Sequence, residues 1–229
     1  GTTRYVLTGV SGNTTDTTVT VNAPTNVTGF YKTQYYLNVT TDPMGLDAPQ
    51  YSGWYDKEAY ANLEVETPTG GDGVSTRYRF DHWTGIGIAN TTSPLTQIFM
   101  DAPKTATAHY VKQFKFTVAS DHDSPVPSAG DYWIDEDDSI TASVTSPADE
   151  SDGTRYRCTG WTGTGSVPAT GTDLSVTFTM TAPSTIIWEW IPQYQITFTE
   201  SGLEPGRSVA ITVNGEPHSG TATYDYSEW

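Results

Sequence analysis

The ten residues Thr76-Arg-Tyr-Arg-Phe-Asp-His-Trp-Thr-Gly85 return as Thr154-Arg-Tyr-Arg-Cys-Thr-Gly-Trp-Thr-Gly163, and more faintly as Thr3-Arg-Tyr-Val-Leu-Thr-Gly-Val-Ser-Gly12. Self-similarity at a fixed period is the signature of a repeat architecture, and it governs how the rest of the chain is read. Each copy is followed by a Gly/Thr-rich loop and a strand-like run. Those runs end in Val21-Asn-Ala-Pro24, Met100-Asp-Ala-Pro103 and Met180-Thr-Ala-Pro183. A further strand closes on Gln34, Gln113 or Gln193, and Tyr35, Phe114 or Tyr194 opens the next. Ahead of the motif, Trp54-Tyr-Asp56 matches Trp133-Ile-Asp135, and Ala61, Leu63 and Val65 align without gaps on Ile140, Ala142 and Val144. The repeating unit is therefore about 80 residues long, the size of a small β module.

The anchors divide the chain into residues 1–34, the back half of a module; 35–113 and 114–193, two complete modules; and 194–229, the front half of a different β module. A half module leaves strand edges and an apolar face uncovered. Three arrangements answer that: cut ends of a longer array, pairing of the halves within the chain, or pairing between chains by strand addition.

Composition points the same way. Hydrophobic residues make up only 35% of the chain, yet there are 14 Tyr and 7 Trp, which suits several small cores built on aromatic rings. No stretch sustains the 3.6-residue period of a helix, whereas Tyr35, Leu37 and Val39, then Phe114, Phe116 and Val118, alternate with polar residues as strands do. The reading is an all-β chain of tandem small antiparallel β-sandwich-like (Ig-like) modules in an elongated array. Short linkers are expected at Gln34-Tyr35, Gln113-Phe114 and Gln193-Tyr194. A β-grasp-like module is the alternative, and it needs a helix for which the sequence offers no good candidate. Trp83 and Trp161 share one repeat position and Phe80, Cys158 and Leu7 another, so Trp83, Trp161, Phe80 and Cys158 are the expected structural core. Space left by the smaller Cys158 is expected to be filled by rings such as Trp188 and Trp190.

Acidic residues outnumber basic ones 27 to 11, for a net charge of −16. That sign disfavours nucleic-acid backbones and anionic membranes as partners. No apolar run approaches the ~18 residues of a membrane span. The single Cys158 excludes an internal disulfide.

The Trp-Thr-Gly element, the Met-x-Ala-Pro turn and the closing strand together resemble the divergent internalin-B-type repeat of bacterial and archaeal surface proteins. The last segment, Tyr194 to Gly215 (YQITFTESGLEPGRSVAITVNG), resembles a stretch common in archaeal secreted proteins, with Val209 where that pattern carries Trp and Glu204 where it carries Pro. The resemblance implies an archaeal extracellular or cell-surface protein with an S-layer, sheath, adhesin or stalk role. It carries no catalytic residues onto this chain.

Candidate sites are few. Asn13, Asn26, Asn38 and Asn90 head N-x-Ser/Thr sequons and are candidate glycosylation sites. The acidic run Asp135-Glu-Asp-Asp138 makes Asp135, Asp137 and Asp138 weak calcium candidates, since the run lacks the spacing of an EF-hand and its repeat counterpart is Asp56-Lys-Glu-Ala59. No nucleophile elbow, zinc-binding helix or phosphate loop is present, so no catalytic or cofactor-binding residue is assigned. Trp54, Tyr55, Tyr132 and Trp133 either stack on sugar rings or staple a turn. The expected function is a structural part of a surface assembly, one able to polymerise by strand complementation between half modules. Its expected partners are further copies, other surface proteins or glycans. An adhesin or carbohydrate-binding accessory region is the alternative.

Overall fold

The computed structural model describes the chain apart from residues 13–17, 19–20, 47–50, 200, 203, 205, 222–224 and 229. The described residues form strands, turns and bends with no helix, so the fold is all-β. In chain order the strands are β1 (Thr3–Gly12), β2 (Val27–Asp42), β3 (Gly53–Asp56), β4 (Tyr60–Glu64), β5 (Thr76–Thr84), β6 (Leu95–Phe99) and β7 (Lys104–Ser120). There follow β8 (Gly130–Asp135), β9 (Ser139–Ser143), β10 (Ala148–Ser151), β11 (Thr154–Thr164), β12 (Thr170–Gly171), β13 (Ser175–Thr179) and β14 (Ser184–Tyr194). The last four are β15 (Ile196–Thr199), β16 (Ser208–Val213), β17 (Glu216–Thr221) and β18 (Asp225–Glu228). They build two compact units, one from Gly1–Lys115 with Trp133–Glu136, the other from Phe116–Tyr132 with Asp137–Trp229.

In the first unit β2 pairs antiparallel with β1 and β3, and β7 pairs antiparallel with β5. A separate two-stranded sheet, β4 with β6, supplies Ala61, Leu63 and Ile98 to one core with Leu37, Val39, Phe80, Trp83 and Ala106. One pairing departs from the antiparallel expectation. Leu37–Asp42 of β2 runs parallel to Lys104–His109 of β7. Parallel neighbours need a long crossover, and β3 to β6 provide it.

The second unit repeats this plan. β11 pairs antiparallel with β14, β9 with β13, and β14 runs parallel to the Phe116–Ser120 part of β7. Its interior holds Phe116, Cys158, Trp161, Phe178, Met180 and Trp188. β15 pairs with β18 and β16 with β17, both antiparallel.

The expected linkers are corrected at all three places. Gln34-Tyr35 lies inside β2, Gln113-Phe114 inside β7, and Gln193-Tyr194 forms the end of β14. The reason is visible in β7: Ala106, Ala108, Tyr110, Phe114, Phe116 and Val118 are all buried, so apolar alternation crosses the repeat boundary without a break.

One irregularity recurs three times. The register slips by a residue between Leu7 and Gly9, between Phe80 and His82, and between Cys158 and Gly160. Each slip is a β-bulge with Thr8, Asp81 or Thr159 as the extra residue. Strict alternation would send residues three apart to opposite faces. The bulge turns Trp83 to the same interior as Phe80, at 1% and 6% exposure, and does the same for Trp161 and Cys158. Gly85 ends the motif at φ +149°, where a Cβ would stand 2.7 Å from the Thr105 carbonyl oxygen.

The first copy lacks a covering sheet among the described residues. Tyr5 and Tyr31 are 72% and 64% exposed, whereas Tyr110, the counterpart of Tyr31, is 8% exposed.

Candidate functional site

The feature that recurs with the most chemistry is a clasp at the end of each repeat. Register places Arg4 opposite Gln34, Arg77 opposite Gln113 and Arg155 opposite Gln193. In every copy the Arg Nε donates to the Gln Oε1, at 2.8, 2.8 and 3.0 Å. The Gln side chain is thereby oriented with its amide NH2 free to donate onward. Gln34 Nε2 donates to Asp56 Oδ1 at 2.7 Å, and Gln113 Nε2 donates to Asp135 Oδ1 at 2.7 Å. The residue two before each Asp packs against the same Arg. The Arg4 guanidinium lies 4.6 Å from the Trp54 ring centroid, and that of Arg77 lies 4.3 Å from Trp133.

A backbone bond and a second cation complete the arrangement. Lys57 N donates to Thr33 O, and Glu136 N donates to Lys112 O, at equivalent positions. In the second clasp Arg79 donates to Asp135 Oδ2 at 2.7 Å. The first clasp has Val6 at that repeat position, and its cation comes from the strand opposite: Lys32, the register partner of Val6, reaches Asp56 Oδ2 at 2.9 Å. The cation–apolar pair is Val6/Lys32 in one copy and Arg79/Val111 in the other, so the charge is kept while its strand changes. The pair Arg157/Ile191 repeats the second pattern.

Electrostatics follow the contacts. Hydrogen bonds from Lys32 and Gln34 hold the Asp56 carboxyl below the usual carboxylate range. Burial works to raise that of Asp135, and the hydrogen bonds from Arg79 and Gln113 outweigh it, so it too is lowered. Asp135 in turn raises the Arg79 pKa.

The candidate calcium residues are not brought together. Both Asp135 oxygens are engaged in the clasp. Asp137 occupies a left-handed turn at φ +68°, and its backbone N donates to Met180 O. The backbone O of Asp138 accepts from Met180 N. Among the described residues no three His, Cys, Asp or Glu side chains are grouped to hold a metal.

Of the sequon residues, Asn13 lies outside the described residues. Asn26 is exposed just before β2, and Asn38 is exposed on β2 opposite Thr105. Asn90 is exposed, and its Oδ1 accepts from both N and Oγ1 of Thr92 at 3.0 Å. The core candidates Trp83, Trp161, Phe80 and Cys158 are all buried. Trp83 Nε1 donates to Ser93 O at 3.0 Å, and Trp161 Nε1 donates to Pro168 O at 3.3 Å. Trp190 lies opposite Cys158 in register, and burial raises the thiol pKa.

Of the aromatic candidates, Trp54 and Trp133 are half-buried clasp residues, and Trp54 also meets Tyr36 edge-on at 5.3 Å. Tyr55 donates to Tyr51 O, and Tyr132 donates to Ser128 O. Beside Trp133 is a groove of about 350 Å³ lined by Glu66, Pro68, Thr69, Arg77 and two glycines.

The clasp was the part missed by sequence reading. Arg, Gln, Trp and Asp were each visible as repeat anchors, and nothing in their spacing, dozens of residues apart, shows that they meet. Comparison with family models, curated proteins and solved structures finds no match to this chain.

Proposed function

We propose that this chain is a non-catalytic structural component of an extracellular or cell-surface assembly, S-layer, sheath, filament or stalk, built from tandem sandwich-like β repeats. The observation that carries the reading is the threefold recurrence of one strand pair with the same bulge and the same Arg–Gln hydrogen bond. Repetition of a scaffold with its connecting contacts suits a molecule whose task is extension. The resemblance to internalin-type repeats and to archaeal secreted segments favours an archaeal surface location. The net charge of −16 suits a hydrated outer surface. No helix among the described residues is long and apolar enough to cross a membrane.

The exposed apolar face around Tyr5 and Tyr31 supports assembly by complementation. A two-stranded sheet from another copy would cover it, as β4 and β6 cover the corresponding face next to Trp83. Sedimentation across a concentration series, with electron microscopy of the largest species, tests this. Ordered polymers that disappear in a Tyr5→Asp/Tyr31→Asp variant are the expected result, and a monomer at every concentration rejects assembly through this face.

A glycan-binding accessory role is the second reading, and the groove beside Trp133 favours it. Saturable binding on a glycan array that is lost in Glu66→Ala would establish that role instead.

A further inference from the structure

The three bulges differ in what they carry. Thr8-Gly9 and Thr159-Gly160 stand at those of β1 and β11, whereas β5 has Asp81-His82. Consecutive side chains of a regular strand point to opposite faces, and the extra residue lets Asp81 and His82 meet on the outer one. There His82 is the register partner of His109 on β7, and the two imidazoles stack with centroids 4.6 Å apart and planes 10° from parallel. Both rings reach solvent, with side-chain exposures of 43% and 29%.

Each ring is oriented by a carboxylate. His82 Nδ1 lies 2.8 Å from Asp81 Oδ2, and His109 Nδ1 lies 3.1 Å from Oδ2 of Asp42, the parallel partner of His109 on β2. Asp81 is itself held by Arg79, whose Nη1 lies 3.6 Å from its other oxygen. A carboxylate only accepts, so in the neutral imidazole the proton sits on Nδ1 and the lone pair on Nε2. The Thr84 hydroxyl, 2.9 Å from His109 Nε2, then donates to that lone pair. An imidazole whose Nδ1–H is held by a carboxylate has its tautomer and direction set for a metal ion at Nε2, and is a stronger ligand for it. Here two such rings face one another across a strand pair. The two acids beside them also supply a local field that favours a cation.

We propose that Nε2 of His82 and Nε2 of His109 together bind one divalent transition-metal ion, zinc or copper, on the outer face of β5 and β7. Two nitrogens bonded to one ion at ~2.0–2.1 Å stand about 3 Å apart, so the rings tilt out of their stack toward it and Thr84 gives up its bond. Water completes the coordination, because the neighbouring acids are engaged at the Nδ1 atoms. Imidazole nitrogen selects such ions over calcium and magnesium, which take oxygen ligands. Bound there, the ion ties β5 to β7. The site belongs to the middle copy alone, and it stands whatever the array is for.

The test titrates Zn2+ into the chain by calorimetry, with excess Ca2+ present to occupy surface carboxylates. His82→Gln and His109→Gln are each expected to weaken binding on the order of a hundredfold, because a single imidazole loses the chelate. Asp42→Ala is expected to cost about tenfold, the effect of removing a partner that orients a ligand. His218→Gln, on β17, leaves affinity unchanged. The exposed position of His82 keeps its variant foldable, and melting without zinc checks all four. With Cu2+, electron paramagnetic resonance should count two bound nitrogens in the parent and fewer in either His variant. Equal Zn2+ affinity in the parent and both His variants, an adventitious ion only, overturns the proposal, as does a copper spectrum that neither substitution alters. Full affinity in Asp42→Ala overturns the assignment of Nε2 as the ligating atom.

Discussion

At the scale of single residues, the clasp carboxylates govern how the first unit responds to acid. The Asp135 pKa is lowered in the folded chain, so its contribution is present above the unfolded value near 3.9 and is lost as pH falls through the folded value. Asp135→Asn is therefore expected to lower Tm at pH 7 by about 2–4 °C, the shift that ~1 kcal/mol makes in a chain of this size. The gap to the parent should close progressively below about pH 4, once the parent carboxylate protonates too. Calorimetry of both proteins from neutral pH to pH 2.5 checks the sign, and a gap that widens in acid contradicts it. Cys158 makes the opposite kind of prediction. Its thiol is buried, held against the Gly160 backbone and raised in pKa by burial, so a thiol reagent at pH 8 should label it only in denaturant. Rapid labelling of the native chain would show that the neighbouring rings leave it accessible.

At the scale of elements, the bulges decide which face each Trp joins. Removing Asp81 would erase the bulge and leave Phe80 and Trp83 two residues apart, on one face by strict alternation, so Trp83 would stay packed among Leu63, Ile98 and Phe80. Deletion of Asp81 should thus cost much less than Trp83→Ala, which empties an indole-sized space at about 3–5 kcal/mol. Asp81→Gly should be mild as well, because the bulge survives and Trp83 keeps its face. Urea denaturation of the three variants, followed by near-ultraviolet circular dichroism, ranks them. The same element shows what was legible beforehand. The repeats, the strand alternation and the burial of Phe80 and Trp83 follow from local pattern, because alternation and apolar character are properties of short windows. The three-residue spacing of Phe80 and Trp83, repeated by Cys158 and Trp161, already contradicted a regular strand, and it is the readable trace of the bulge. The parallel pairing of β2 with β7 had no such trace. Strand direction within a sheet is fixed by crossover connections, which leave no local pattern. The clasp was hidden for a related reason: a Gln chosen to orient an Arg and bond an Asp looks like any polar residue near a strand end.

At the scale of the whole molecule, charge and connectivity set the behaviour. With 27 acidic residues against 11 basic ones, repulsion spread over the surface opposes folding, while the few ion pairs favour it. Repulsion should dominate, so raising sodium chloride from about 0.01 to about 0.5 M, which shortens the Debye length from ~30 Å to under 5 Å, is expected to raise Tm by several degrees. A fall in Tm would mean that the ion pairs contribute more than the net charge costs. Connectivity has a mechanical consequence. A repeat is entered along β2 and left along β7, and these two strands are parallel neighbours over Leu37–Asp42 and Lys104–His109. Tension applied at Tyr35 and Gln113 therefore pulls the two strands past each other lengthwise, and the rungs between them share the load instead of parting one at a time. Each module is wired as a lap joint, a geometry fitted to bearing tension along the chain.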